Sequence, residues 1–161
     1  MRDCFPSGLG TQCRATKGGC DELAEDTREV DCSRGDSINE ALGKQNPGRA
    51  LAVVIRGSCA EAVTIGRDDI TLQGNGGAIT GGVTVNGAQR AVIAGLSITN
   101  PVGNGITITN GASVTNQGNE LNDSSGYGIF VRNGSLAIVN DTGCCVTASS
   151  IRAMWMRAGS A

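Results

Sequence analysis

Between Gly81 and Ser135 the sequence alternates aliphatic and polar residues, and the alternation returns at a fixed distance. The segments GGVTVNGA (from Gly81), NGITITNGA (from Asn104) and YGIFVRNGS (from Tyr127) align on Gly82, Gly105 and Gly128, which stand at two equal intervals. Val83, Ile106 and Ile129 keep step after these glycines, as do Val85, Ile108 and Val131. AVTIG (Ala62–Gly66) reads as an earlier copy, one slightly shorter repeat before the first. A second strand series lies between the copies: DITLQGN, AVIAGLSITN, SVTNQGNELND and SLAIVND, with Gly74, Gly95 and Gly118 at nearly the same spacing.

Short strands with Gly/Asn turns, repeating at a period of roughly 20–23 residues, are the signature of a solenoid. An antiparallel sandwich has no reason to return the same residue types at the same spacing. Each strand then pairs in parallel with its copy one coil later, about 4.8 Å away, so that equivalent side chains stack in columns. Val83, Ile106 and Ile129 form one inward column, and Val85, Ile108 and Val131 a second. Thr84, Thr107 and Phe130 alternate with them and face outward. Asn100 and Asn122 are expected to stack at a strand end. Asn116 falls in a column where Leu72 and Ile93 predict an aliphatic residue, and SLAIVND reads as displaced from its register by one.

The pattern divides the sequence into an irregular segment over 1–29, a regular region over 30–142 and an irregular tail over 143–161. At the front, SRGDSINEALGKQNPG predicts a short helix over about 37–45. Ser37 and Glu40 read as a capping box, Ile38, Ala41 and Leu42 form one apolar face, and Pro47-Gly48 stops the helix. An open solenoid end exposes core and unpaired strand edge, so this helix reads as the lid of the first coil. It is too short and acidic to read as a membrane-binding helix.

Composition agrees with this reading. Glycine is frequent at 25 of 161 residues and proline scarce at 3, as many tight turns require. Two Phe, one Tyr and one Trp leave the core to Val, Ile, Leu and Ala. Thirteen basic residues against fifteen acidic ones form no basic stripe, which argues against nucleic-acid binding. No apolar run of about 18 residues predicts a membrane span, and the first residues lack the apolar core of a signal peptide. Of seven cysteines, an odd count, Cys4, Cys13 and Cys20 could suggest a metal knuckle. The absence of histidine and of any C-x-x-C argues against it. Partners for Cys4, Cys13, Cys20, Cys144 and Cys145 stay open.

Together these features resemble the right-handed parallel β-helix proteins of the pectate-lyase-like superfamily, and among them bacterial secreted β-helix-repeat proteins. The resemblance rests on Val30-Asp31-Cys32, the helix over Ser37–Gln45 and the strand AVVIRGSC ending at Cys59. It implies an all-β fold, a right-handed parallel β-helix of about four to five coils with a short N-terminal capping helix. It also implies a disulfide between Cys32 and Cys59, which would contribute about 3 kcal/mol by chain entropy. A secreted, periplasmic or cell-surface location is implied as well. Enzymes of the superfamily usually have more coils, so the sequence reads as a short or truncated member. Self-association through an uncovered last coil is then expected.

Lyases on this fold use an Arg or Lys base beside calcium-binding carboxylates, and hydrolases use paired Asp residues. The candidates here are Asp68, Asp69, Arg90, Asp123, Arg132 and Asp141. The carboxylates read as strand-end turns, and the two arginines as single charges without an obvious carboxylate partner. Arg34–Ser37 spells RGDS, and Asn122, Asn133 and Asn140 match glycosylation sequons, but turn and cap positions account for both. The outward Thr64, Thr84 and Thr107 fall short of the regular ranks of ice-binding solenoids, because Phe130 breaks the file. No catalytic residue or bound cofactor is identified, and calcium enters only if the protein is a lyase. The leading expectation is a scaffold module contacting polysaccharide along a flat outward face. The alternatives are an N-terminal fragment of a polysaccharide lyase or glycoside hydrolase, and an adhesin-like passenger.

Overall fold

The computed structural model describes residues 14–16, 19–21, 25–44, 48–143, 146–148 and 155–157. A minimal antiparallel hairpin joins Arg14–Thr16 to Gly19–Asp21. From Asp26 onward every strand pairs in parallel, and the backbone winds repeatedly through three faces. The coil therefore begins at Asp26, ahead of the expected boundary at residue 30.

The first face is a five-stranded sheet of Val63–Ile65, Val83–Asn86, Ile106–Thr109, Ile129–Val131 and Val146–Ala148. The second and third faces share one sheet, because the strands Leu51–Cys59 and Ile70–Thr80 bend across both. The second face continues through Ala91–Ala94, Ser113–Gln117, Leu136–Asn140 and Trp155–Arg157. Ser97–Thr99 and Glu120–Asn122 continue the third.

The columns follow the repeat. Val83, Ile106 and Ile129 are in register and buried, as are Val85, Ile108 and Val131, and Val63 and Ile65 extend both columns backward. On the third face, Cys59, Ile79, Ile98 and Leu121 form another buried column. Burial of each such aliphatic residue contributes roughly 1.5–3 kcal/mol, and Val53, Leu72 and Ile93 add a further buried column on the second face. Close coil approach explains Gly105, where a Cβ would meet the Gly128 carbonyl oxygen at 2.7 Å.

Two expectations about columns change. The strand of SLAIVND is not displaced: Val114 pairs with Ala137 and Asn116 with Val139, at the same step that separates Gly105 from Gly128. What departs is polarity, because this register leaves Ile138 exposed. Asn116 does stand in the inward column, between Ile93 and Val139, fully buried and with neither side-chain polar atom bonded. Nor do Asn100 and Asn122 stack, since Asn122 pairs with Thr99 and the Asn100 amide bonds Asn104 O. The asparagines that do ladder are Asn86, Asn110 and Asn133, with Nδ2 of Asn110 donating to Asn86 at 2.7 Å and that of Asn133 to Asn110 at 3.1 Å. Asn110 and Asn133 lie at φ 59° and 54°, where asparagine is tolerated better than most residues.

The lid is a helix over Ile38–Gly43, with Ile38 and Ala41 buried. Ser37 caps it by accepting from the Glu40 amide, but only half of the expected capping box forms. The Glu40 carboxylate pairs with Lys44 one turn on, at 2.9 Å, and Glu61 of the next coil takes its place. Asn39 supplies the missing strand edge: its Nδ2 donates to Ala62 O and its Oδ1 accepts from Thr64 N. Cys32 and Cys59 form a disulfide with Cα atoms 5.1 Å apart, tying the first turn to the base of the third-face column. Cys4, Cys13, Cys20, Cys144 and Cys145, and any pairing or metal role for them, lie outside the residues whose side chains are described.

Candidate functional site

The outward file of the first face carries Thr64, Thr84, Thr107 and Phe130 in strict register on successive coils. The Phe130 ring stacks on Tyr127, with centroids 5.5 Å apart and planes 15° from parallel. The Arg132 guanidinium lies 5.9 Å from the Phe130 centroid. The sole tyrosine of the protein thus sits at the surface, 47% exposed, instead of in the core.

Backbone packing at one corner holds this pair. The turn before Ile106 and the turn before Ile129 are zipped together by Ser125 N donating to Asn100 O, Gly126 N to Gly103 O and Gly105 N to Tyr127 O. Asn104 connects the aromatic pair to the threonine file: its Oδ1 accepts from Tyr127 N, and its Nδ2 donates to Thr107 Oγ1. Gly126 is required there, because a Cβ would collide with Asn104 Oδ1. Val102, 89% exposed, lies on the same pair of turns. The corner therefore combines apolar ring faces, a cation and a row of hydroxyls repeating at the coil spacing.

Strand alternation alone marks Phe130 as an interruption of the threonine file and does not reveal the stack. The available signal is compositional: Tyr127 and Phe130 are near neighbours in a protein that almost lacks aromatics.

The acidic candidates fall on different corners. Asp69 and Arg90 occupy equivalent turn positions on adjacent coils, at φ 58° and 57°. Arg90 is therefore not a single charge, as expected, but grips Asp69 with two bonds of 2.6 and 2.7 Å. Asp68 accepts from the Gln89 amide, and the Arg67 guanidinium donates to the Arg49 carbonyl. With Leu42, Gly43 and Gly48 these residues line an open cleft of about 640 Å³. The Arg90 hydrogen bond holds the Asp69 carboxyl below its ordinary range against a smaller opposing effect of burial, and the same bond raises Arg90. A general acid needs a raised carboxyl pKa and an arginine base a lowered one, so the pair is tuned against both roles. Asp123 and Asp141 occupy two other corners, both at positive φ, as turn residues. Arg132 belongs to the aromatic corner.

Cys32, Cys59 and Glu61 form the one cluster of metal-ligating types among the described residues. They do not fit a metal site, because the sulfurs are joined in a disulfide and the carboxylate is bonded to the helix. The RGDS stretch is folded into a tight turn, with Gly35 at φ 90° and Asp36 accepting from the Asp31 amide. In the Asn133 sequon, Nδ2 is committed to Asn110 and Thr109, and Ser135 is buried against the Ala112 amide.

The geometry defines a parallel β-solenoid with a surface aromatic corner. The family model described as a right-handed β-helix region matches residues 49–161, more than half of the sequence. The protein belongs to that family, and the winding is right-handed. Comparison with curated proteins finds no match, and comparison with solved structures finds none either.

Proposed function

We propose that this β-helix is a non-catalytic scaffold that binds polysaccharide along its first face. The observation that carries the reading is the stack of the exposed Tyr127 on the half-buried Phe130, in line with Thr107 and Thr84. An aromatic face accepts the apolar face of a sugar ring, while hydroxyls spaced one coil apart meet successive polar groups along an extended polymer. Arg132 adds a guanidinium that suits carboxylate or sulfate groups on an acidic glycan. The Asp69–Arg90 pairing supports the non-catalytic part. The Cys32–Cys59 disulfide supports an oxidising compartment, such as the periplasm or the cell exterior. No helix among the described residues is long and apolar enough to cross a membrane.

The test is retention on insoluble glycans, neutral and uronate-rich, with assay of the supernatant for released sugars and unsaturated products. Wild-type protein is retained on at least one polymer without turnover, and the Tyr127→Ala/Phe130→Ala variant is released. Equal retention of that variant removes the proposed face, and product formation would make the protein an enzyme.

A further inference from the structure

Five Asn-Gly pairs occur in the sequence, at Asn75, Asn86, Asn104, Asn110 and Asn133. Asn-Gly is the dipeptide best suited to intramolecular attack, because glycine leaves its backbone nitrogen sterically open. Four of the five are held by hydrogen bonds. Asn110 Nδ2 donates to Asn86 Oδ1, and Asn110 Oδ1 accepts from Asn133 Nδ2, which also donates to Thr109. The Gly87 and Gly111 nitrogens donate to Thr109 O and Asn133 O. Asn104 is bonded at both ends of its amide, and the Gly105 nitrogen donates to Tyr127 O.

Asn75 is different. It lies where the strand Ile70–Thr80 bends from the second face to the third. In the coil before, Ile55 pairs with Gly74 and Gly57 with Gly77, so Asn75 and Gly76 both stand opposite the single residue Arg56. In the coil after, pairing stops at Gln73 and resumes at Ala78. Asn75 and Gly76 are thus skipped by both neighbouring strands. Gly76 is exposed and lies at φ 70°, and a Cβ there would meet nothing within 4 Å. Asn75 itself is exposed, and no side-chain hydrogen bond among the described residues holds its amide.

We infer that Asn75 is a self-modifying site, deamidating through its own backbone while the other four Asn-Gly pairs are protected by the fold. The Gly76 nitrogen attacks Cγ of Asn75. The new bond from that nitrogen to Cγ closes a succinimide, and the bond from Cγ to Nδ2 breaks. Nδ2 leaves as ammonia, taking the Gly76 amide proton. Water then opens either carbonyl of the ring, giving an aspartyl or isoaspartyl residue. One water enters and one ammonia leaves, so no cofactor or oxidant is needed. Because neither residue is in the strand pairing, the extra backbone methylene of the isoaspartyl form shifts no register. The new carboxylate appears in the stretch opposite Arg56, which already pairs with Glu29 at 2.6 Å.

The experiment incubates the folded protein in mildly alkaline buffer and follows each Asn-Gly peptide by mass spectrometry, with isoaspartyl methyltransferase labelling to detect the rearranged form. Asn75 reacts first, about ten-fold or more ahead of the other four, since each of those must first lose one or two hydrogen bonds. In denaturant the five rates converge, and Asn75→Ser removes the fast component from folded protein. The deamidated protein keeps its circular dichroism spectrum. A ladder asparagine that keeps pace with Asn75 in folded protein, or an Asn75 that stays intact while others react, overturns the inference.

Discussion

Glu61 caps the lid helix of the preceding coil through Ile38, accepting the Ile38 amide on Oε1 at 2.7 Å. Its other oxygen accepts from the Ser37 hydroxyl at 2.9 Å and from the Asn39 side chain at 2.8 Å. The first coil and its cover are therefore joined by one carboxylate as well as by the neighbouring disulfide.

Glu61→Ala is expected to destabilise the protein by about 1–2 kcal/mol, the range for losing a charge-assisted helix cap. Glu40→Ala loses only an exposed pair with Lys44 and should stay within about 0.5 kcal/mol. Urea unfolding of both variants checks this. A larger effect at Glu40 would restore the reciprocal capping box that the sequence predicts.

Asn116 is a buried amide in an aliphatic column, with neither Nδ2 nor Oδ1 bonded. Such a group costs about 1–3 kcal/mol. Asn116→Leu places an apolar residue between Ile93 and Val139 and is expected to raise stability by about that amount, or several degrees in Tm. Calorimetry reads it directly. A lowered Tm would mean that the site does not accommodate the apolar replacement.

The columns were legible in the sequence because each repeats its residue type at a near-constant interval, and Gly82, Gly105 and Gly128 set the phase. The contacts between coils were not. Coil length varies, since the step from Leu51 to its partner Ile70 is shorter than the step from Val83 to Ile106. A partner one coil away therefore has no fixed sequence distance. Arg90 reaches back one coil to Asp69, and Glu61 reaches back by a longer step to Ser37. The Tyr127–Phe130 stack was hidden for another reason: strand alternation predicts which way Phe130 faces but says nothing of a turn residue such as Tyr127.

The disulfide closes a loop with a sequence separation of 27. Chain entropy predicts that replacing both Cys32 and Cys59 by serine costs about 3 kcal/mol. Unfolding under reducing and non-reducing conditions should differ by the same amount in wild type and not at all in the double variant. A redox-dependent difference that persists there would point to the other cysteines.

Asp69 titrates below its ordinary value of 3.8, chiefly because of its hydrogen bond from Arg90. A lowered native pKa means stability that is full above 3.8 and lost as pH falls through the depressed value. Asn tolerates the left-handed backbone at this position, so Asp69→Asn isolates the charge. The variant should be less stable than wild type at neutral pH, and the gap should close in acid below the ordinary carboxylate range. A gap that does not change with pH would show that the charge on Asp69 adds nothing. The effect is small, since both groups are solvent-exposed and screened.

The proposed polysaccharide site is the first face, against the aromatic corner. Amide hydrogen exchange, measured with and without a glycan that retains the protein, tests it most directly. Exchange is expected to slow around Asn104–Thr107 and Tyr127–Arg132, with the Asp68–Asp69 and Arg90 turns unchanged. Protection centred on the Asp69–Arg90 cleft, with none at Tyr127–Arg132, would contradict it.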